Sequence, residues 1–95
     1  MSTDLTQIRQ LIQKDFNLEV KQDVPDLDKL KLWLADEIQL IMDKDFQQFL
    51  NILYRIDISE SKAQEAFAHT NPPFRLAELI IERELQKVAS RQKYK

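Results

Sequence analysis

The sequence predicts an all-α fold, a compact single-domain bundle of four or five helices. Three observations carry this. Apolar residues recur at helical spacing along nearly the whole chain, no clean alternating run reaches strand length, and glycine is absent. A chain without glycine has no Asn-Gly or Asp-Gly hairpin turn, no glycine helix cap and no Gly-rich phosphate loop. Ninety-five residues make one domain, residues 1–95, with no room for a second core. Folding at this size removes roughly 65% of the unfolded chain's surface from water, enough for one modest core. Hydrophobic residues at 43% and charged residues at 32% fit a globular chain rather than a disordered one.

The first helix takes Ser2 or Thr3 as its cap and carries Leu5, Ile8, Ile12 and Phe16 as its apolar stripe, with Leu11 alongside. The period is lost from Asn17 to Val24, and Pro25 disfavours helix in the residue before it. That segment reads as a polar connection pinning Leu18 and Val20 to the core. The second helix starts near Pro25 or Asp26, where proline suits a first turn and aspartate favours the positive helix end. Leu27, Leu30, Leu34, Ile38, Ile41 and Met42 then fall within one arc.

The next stripe, Phe46, Phe49, Leu50 and Leu53, is rotated by roughly 90° from that arc. One straight helix cannot aim both stripes at one core. A break or sharp kink is therefore expected at Asp43-Lys44-Asp45, with Asp45 and Gln48 in a capping-box arrangement. A single long bent helix is the competing reading. The third helix runs to about Ile56, and Asp57-Ile58-Ser59 makes a turn. Ser59 caps a short fourth helix bearing Ala63, Ala66 and Phe67; Ser61 with Gln64 is the alternative box.

Thr70-Asn71-Pro72-Pro73 stops the fourth helix and caps the fifth. The fifth carries Phe74, Ala77, Ile81, Leu85 and Val88 on one stripe and Leu76 and Ile80 on a second. Its first half is apolar over most of its circumference, apart from a strip of Arg75, Glu78, Glu82 and Gln86. Such a helix belongs at the centre of a bundle. From about residue 90 the chain is polar and basic, and a frayed tail is expected there.

Little of the chemistry that small proteins carry fits this chain. No cysteine means no disulfide, thiolate nucleophile or Cys-ligated metal. The lone histidine, His69, sits at the end of the fourth helix and reads as a cap on its dipole. Asp23, Asp26 and Asp28, and Asp43 with Asp45, lack the central glycine and closing glutamate of a calcium loop. Glu78 and Glu82 share a helix face, but Arg75 and Gln86 beside them make a solvated, ion-paired strip rather than an acid–base pair. The serines sit at termini and caps, without a nucleophile elbow. No cofactor, metal or small-molecule substrate is therefore expected, nor an enzyme.

Fourteen Lys and Arg against sixteen Asp and Glu give a net charge of -2, so no general basic field attracts nucleic acid. Phe46 to Phe67 has the outline of a helix–turn–helix, yet its second helix would present Glu60, Gln64 and Glu65 against only Lys62. The last thirteen residues differ: Arg83, Lys87, Arg91, Lys93 and Lys95 against Glu84 give +4. Lys87, Arg91, Lys93 and Lys95 are the candidate polyanion contact, although bases at a helix C-terminus also simply complement its dipole. No run is long and apolar enough to span a membrane or to form a signal peptide, and a cytoplasmic protein is expected.

Two further groups stand out. Trp33 and Leu40, two turns apart with Glu37 beside them, lie off the core stripe of the second helix and form a candidate interface for a protein partner or a homodimer. Arg55, at the end of the third helix, can reach Asp57 or Glu84, a candidate structural ion pair tying the turn to the central helix. The stretches Leu53-Tyr54-Arg55-Ile56-Asp57-Ile58-Ser59-Glu60 and Leu76-Ala77-Glu78-Leu79-Ile80-Ile81-Glu82-Arg83-Glu84-Leu85-Gln86-Lys87 resemble the C-terminal half of small hypothetical bacterial proteins. That resemblance implies a bacterial all-α protein and transfers no functional residue. The leading expectation is a non-enzymatic protein–protein interaction or structural module. The alternative is a small regulatory protein touching nucleic acid or an anionic surface through its basic end.

Overall fold

Four side chains set the starts of four helices. In the computed structural model, which describes residues 3–17 and 26–93 (side chains for 5–17 and 26–90), Asp26 Oδ1 accepts the Lys29 N–H at 2.9 Å. Asp45 Oδ1 takes the Gln48 N–H at 3.1 Å, Ser59 Oγ the Lys62 N–H at 3.3 Å, and Asn71 Oδ1 the Phe74 N–H at 3.4 Å. Each satisfies one of the amide donors that a helix start leaves without a partner. The helices are α1 (Thr3–Phe16), α2 (Leu27–Lys44), α3 (Phe46–Ile56), α4 (Glu60–Phe67) and α5 (Pro72–Lys93). The predicted all-α bundle is the fold, with five helices among the described residues. Ser2, as a candidate cap, and Leu18 and Val20 lie outside the described residues.

The rotation between the two apolar stripes is resolved by a break, not a bend. Asp45 leaves helical geometry at φ -157°, ψ 88°, closing α2 through its N–H to the Ile41 carbonyl while its side chain opens α3. One residue thus ends one helix and starts the next. Two helix ends need left-handed backbone, usually supplied by glycine. Here Asn17 (φ 53°) and Asp57 (φ 71°) take those positions. Asparagine and aspartate are the side chains that tolerate this region best after glycine. At Asp57 the turn closes in the Schellman pattern, with Ile58 N–H on the Leu53 carbonyl at 3.1 Å and Asp57 N–H on Tyr54 at 3.1 Å.

α5 is the central helix. It packs against α2 most extensively and against α1, α4 and α3 as well. Leu76, Ala77, Leu79, Ile80 and Ile81 are all buried, as expected for a helix surrounded by others. Ile8, Ile12 and Phe16 of α1 join them, with Leu30, Leu34 and Ile38 of α2. Each fully buried aliphatic side chain contributes about 1.5–3 kcal/mol by leaving water.

Of the residues on the predicted stripes, Leu34, Ile38, Leu53, Ala77 and Ile81 are buried, whereas Phe67 is only partly so. The buried stripe of α3 is Phe49, Ile52, Leu53 and Ile56, one step round from the predicted Phe46–Phe49–Leu50–Leu53. That rotation follows from α3 being held by α1, α2 and α5 together, which leaves Phe46 and Leu50 at the rim. α5 extends through Lys93, into the polar, basic stretch that begins at about residue 90.

Candidate interaction surface

α4 lies against α5 through Ala66, its one buried residue, rather than closing onto α3. An apolar groove is left between α3 and α4. Its α3 side is the ridge Phe46, Leu50 and Tyr54, spaced by four residues and so aligned along one face. Ala63 and Phe67 line the α4 side. The Phe46 and Phe67 rings meet at one end, 5.6 Å between centroids and tilted by 54°. At the other end Leu50, Leu53, Tyr54, Ile58, Glu60 and Ala63 enclose a cavity of about 80 Å³. That is far below the roughly 300 Å³ of a metabolite site, and suits a single apolar side chain from outside.

Among the described residues the large apolar side chains left exposed are Leu32 (52%) and Leu40 (60%) on α2 and Phe46 (47%) and Tyr54 (76%) on α3. The predicted Trp33–Leu40 face is therefore divided. Trp33 is partly buried against the core, Glu37 is half-buried, and only Leu40 stands in solvent. The indole is anchored in the fold. Leu32 points to the other flank, where Ala35, Asp36, Gln39, Asn71, Pro73 and Phe74 join it around a cleft of about 430 Å³. The sequence contains the signal for this ridge, Phe46, Leu50 and Tyr54 at i, i+4 and i+8, but the predicted core stripe takes Phe46 and Leu50 inward with Phe49 and Leu53 and leaves Tyr54 out.

The predicted ion pair around Arg55 forms with a different base. Arg83 Nη2 on α5 binds Asp57 Oδ2 at 3.3 Å, and its Nε donates to the Ile56 carbonyl at 3.4 Å. Arg55 is exposed, and Glu84 pairs with Lys87 at 3.4 Å instead. The reason is helix rotation: with Ile52 and Ile56 facing inward, Arg55 is carried out to solvent. The tie between turn and central helix exists, made from the α5 side. A cleft of about 290 Å³ lies beside it, lined in part by Ser59, Lys62 and Glu82, but Arg83 is already engaged by Asp57, Ile56 and Gln86.

Of the candidate polyanion contacts, Lys87 is turned onto the buried Glu84, and the side chains of Arg91 and Lys93, like Lys95, lie outside the described residues. His69 is exposed, and its Nδ1 accepts the Asn71 N–H at 3.4 Å, so the ring serves the interhelical turn rather than the end of α4. Glu78 is ion-paired with Arg75 at 3.3 Å and Lys31 at 3.5 Å, as expected for a paired strip. Among the described residues no three His, Asp or Glu side chains stand close enough to hold a metal ion, and no helix is long and apolar enough to cross a membrane.

Compared with protein-family models, with curated proteins and with solved structures, the chain matches none of them.

Proposed function

We propose that this protein is a non-enzymatic interaction module that binds another polypeptide along the groove between α3 and α4. The observation that carries the reading is the aligned ridge Phe46, Leu50 and Tyr54 facing Ala63 and Phe67, partly open to solvent. A channel between two helices with apolar positions every four residues is the complement of a third, amphipathic helix. Exposed aromatic side chains are the residue type most enriched among interface anchors. The lining contributes one acid, Glu60, and no base, so a partner helix with lysine or arginine beside its apolar stripe suits it best.

The test is a photo-crosslinking residue placed at Tyr54, compared with one at exposed Gln48, about 120° around the same helix and away from the ridge. A defined partner, or a second copy of the chain, should be trapped from position 54 and not from 48. A Phe46→Glu, Tyr54→Glu variant with an unchanged helical circular dichroism spectrum should lose it. Trapping that is equal at both positions, or that survives the double variant, overturns the groove. Loss upon Leu40→Glu alone would move the contact to α2.

A further inference from the structure

One ionisable group has no role in that surface and no ordinary reason to be where it is. Glu84 is fully buried on α5, and neither of its carboxyl oxygens receives a conventional hydrogen bond. Oδ2 of Asp15, near the end of α1, is buried and without a donor in the same way. The two carboxyl groups lie within hydrogen-bonding reach of each other across the contact between α1 and α5. Two ionised carboxylates so placed have no donor to offer one another. The ammonium of Lys87, 3.4 Å from Glu84 Oε1, neutralises one charge and leaves the other buried.

We infer that Glu84 carries a proton in the folded protein and donates it to Asp15, so that a carboxyl–carboxylate hydrogen bond latches α1 onto α5 and opens as the pH rises past neutral. A single proton gives the two unmet carboxyl groups a hydrogen bond to each other, while the buried Nε of Arg9 is left without a partner. Glu84 becomes the donor, Asp15 Oδ2 gains a partner, and Asp15 with Lys87 leaves the cluster neutral. A buried carboxyl group kept protonated beside a second carboxylate is the expected outcome of like charges held in a dry site.

Among the described residues no charged group besides Lys87 pairs with Glu84 or Asp15, although the Nε of Arg9 is itself buried without a partner. Arg9 of α1 sits about 120° around the helix from Asp15, on the other flank of the apolar stripe. Lys31 of α2 binds Glu78, Arg55 of α3 faces solvent, and Glu65 of α4 binds Arg75. Burial first, and then the facing Asp15, push Glu84 up to about 7 from an ordinary 4.5, against the opposing pull of Lys87. Between those two values the folded chain holds a proton that the unfolded chain has released. The latch therefore contributes fully below about pH 4.5, weakens as the pH rises, and is spent above about 7.

Amide hydrogen exchange of the whole chain at pH 5 and pH 8, corrected for intrinsic rates, tests this. Protection of the α1 amides should fall by about tenfold or more at the higher pH. Glu84→Gln, which keeps a donor toward Asp15 and cannot ionise, should abolish that fall. Asp15→Asn guards against a folding defect at position 84, and it should return Glu84 toward an ordinary titration by removing the facing carboxylate. The carboxyl carbon shift of Glu84 in the wild type reads the proton directly and should titrate near neutrality. A Glu84 carbon that titrates in the ordinary carboxylate range, or a pH effect on α1 unchanged in Glu84→Gln, overturns the latch.

Discussion

Arg83 and Asp57 stand 26 residues apart in the chain and 3.3 Å apart in the fold. The same guanidinium caps the end of α3 by donating to the Ile56 carbonyl at 3.4 Å. It therefore does two things, completing a helix terminus and fixing the α3–α4 turn against the central helix. Asp57 is well exposed, so the ionic part contributes little, and the half-buried bond to the carbonyl contributes more.

Replacing Arg83 with methionine should lower the free energy of unfolding by about 1 kcal/mol. Arg55→Met, on the exposed side of α3, should change it by less than about 0.5 kcal/mol. Urea denaturation at pH 7 distinguishes the two. A larger loss from Arg55 than from Arg83 would reverse the assignment of the tie.

Asp45 serves two helices, and its removal should be felt in both. Asp45→Ala should cost about 1 kcal/mol, the usual loss for a capping aspartate, by leaving the Gln48 amide without its acceptor. Asp45→Asn and Asp45→Ser keep an acceptor and should cost less than half of that. Thermal melts of the three variants give the order. An alanine variant as stable as wild type would mean that packing alone sets the break.

The break itself was legible because helix geometry is arithmetic: two stripes about 90° apart cannot share one straight axis. Helix starts were legible for a similar reason, since Asp26, Asp45, Ser59 and Asn71 act on amides three residues away. The face of α3 was not. Phe46, Leu50 and Leu53 define a plausible stripe, and only the enclosure of α3 by α1, α2 and α5 selects Ile52 and Ile56 in preference to Phe46. Arg83 was missed as the partner of Asp57 because no local spacing links residues on different helices. Asp15 carried no signal either, since its meaning depends on Glu84, which lies 69 positions later in the sequence.

The two sides of α2 should respond differently to truncation. Leu34 is fully buried, and Leu34→Ala should cost about 2–5 kcal/mol through lost burial and the cavity left behind. Leu40→Ala removes a side chain that is mostly in water and should cost under about 0.5 kcal/mol. Trp33→Ala should fall between them, because the indole packs partly on the core. Chemical denaturation gives all three values. A Leu40→Ala loss comparable to that of Leu34→Ala would show that Leu40 is covered in solution, and sedimentation would then show whether a second copy covers it.

The left-handed caps offer the sharpest comparison. Asn17 and Asp57 both hold positive φ, at 53° and 71°, in a chain without glycine. Left-handed backbone costs an ordinary L-residue about 1–2 kcal/mol, and asparagine or aspartate somewhat less. Asn17→Gly relieves that strain and should stabilise the fold by about 0.5 kcal/mol after the extra entropy of an unfolded glycine is counted. Asp57→Gly gains similar relief but gives up the carboxylate that binds Arg83, so its stability should match or fall below that of wild type. In Arg83→Met, where that contact is already gone, Asp57→Gly should become stabilising by about the same amount as Asn17→Gly. The double-mutant cycle at pH 7 reads the coupling between Asp57 and Arg83 directly. A coupling of zero would mean that the 3.3 Å contact contributes nothing, leaving the carbonyl bond of Ile56 as the whole of what Arg83 supplies.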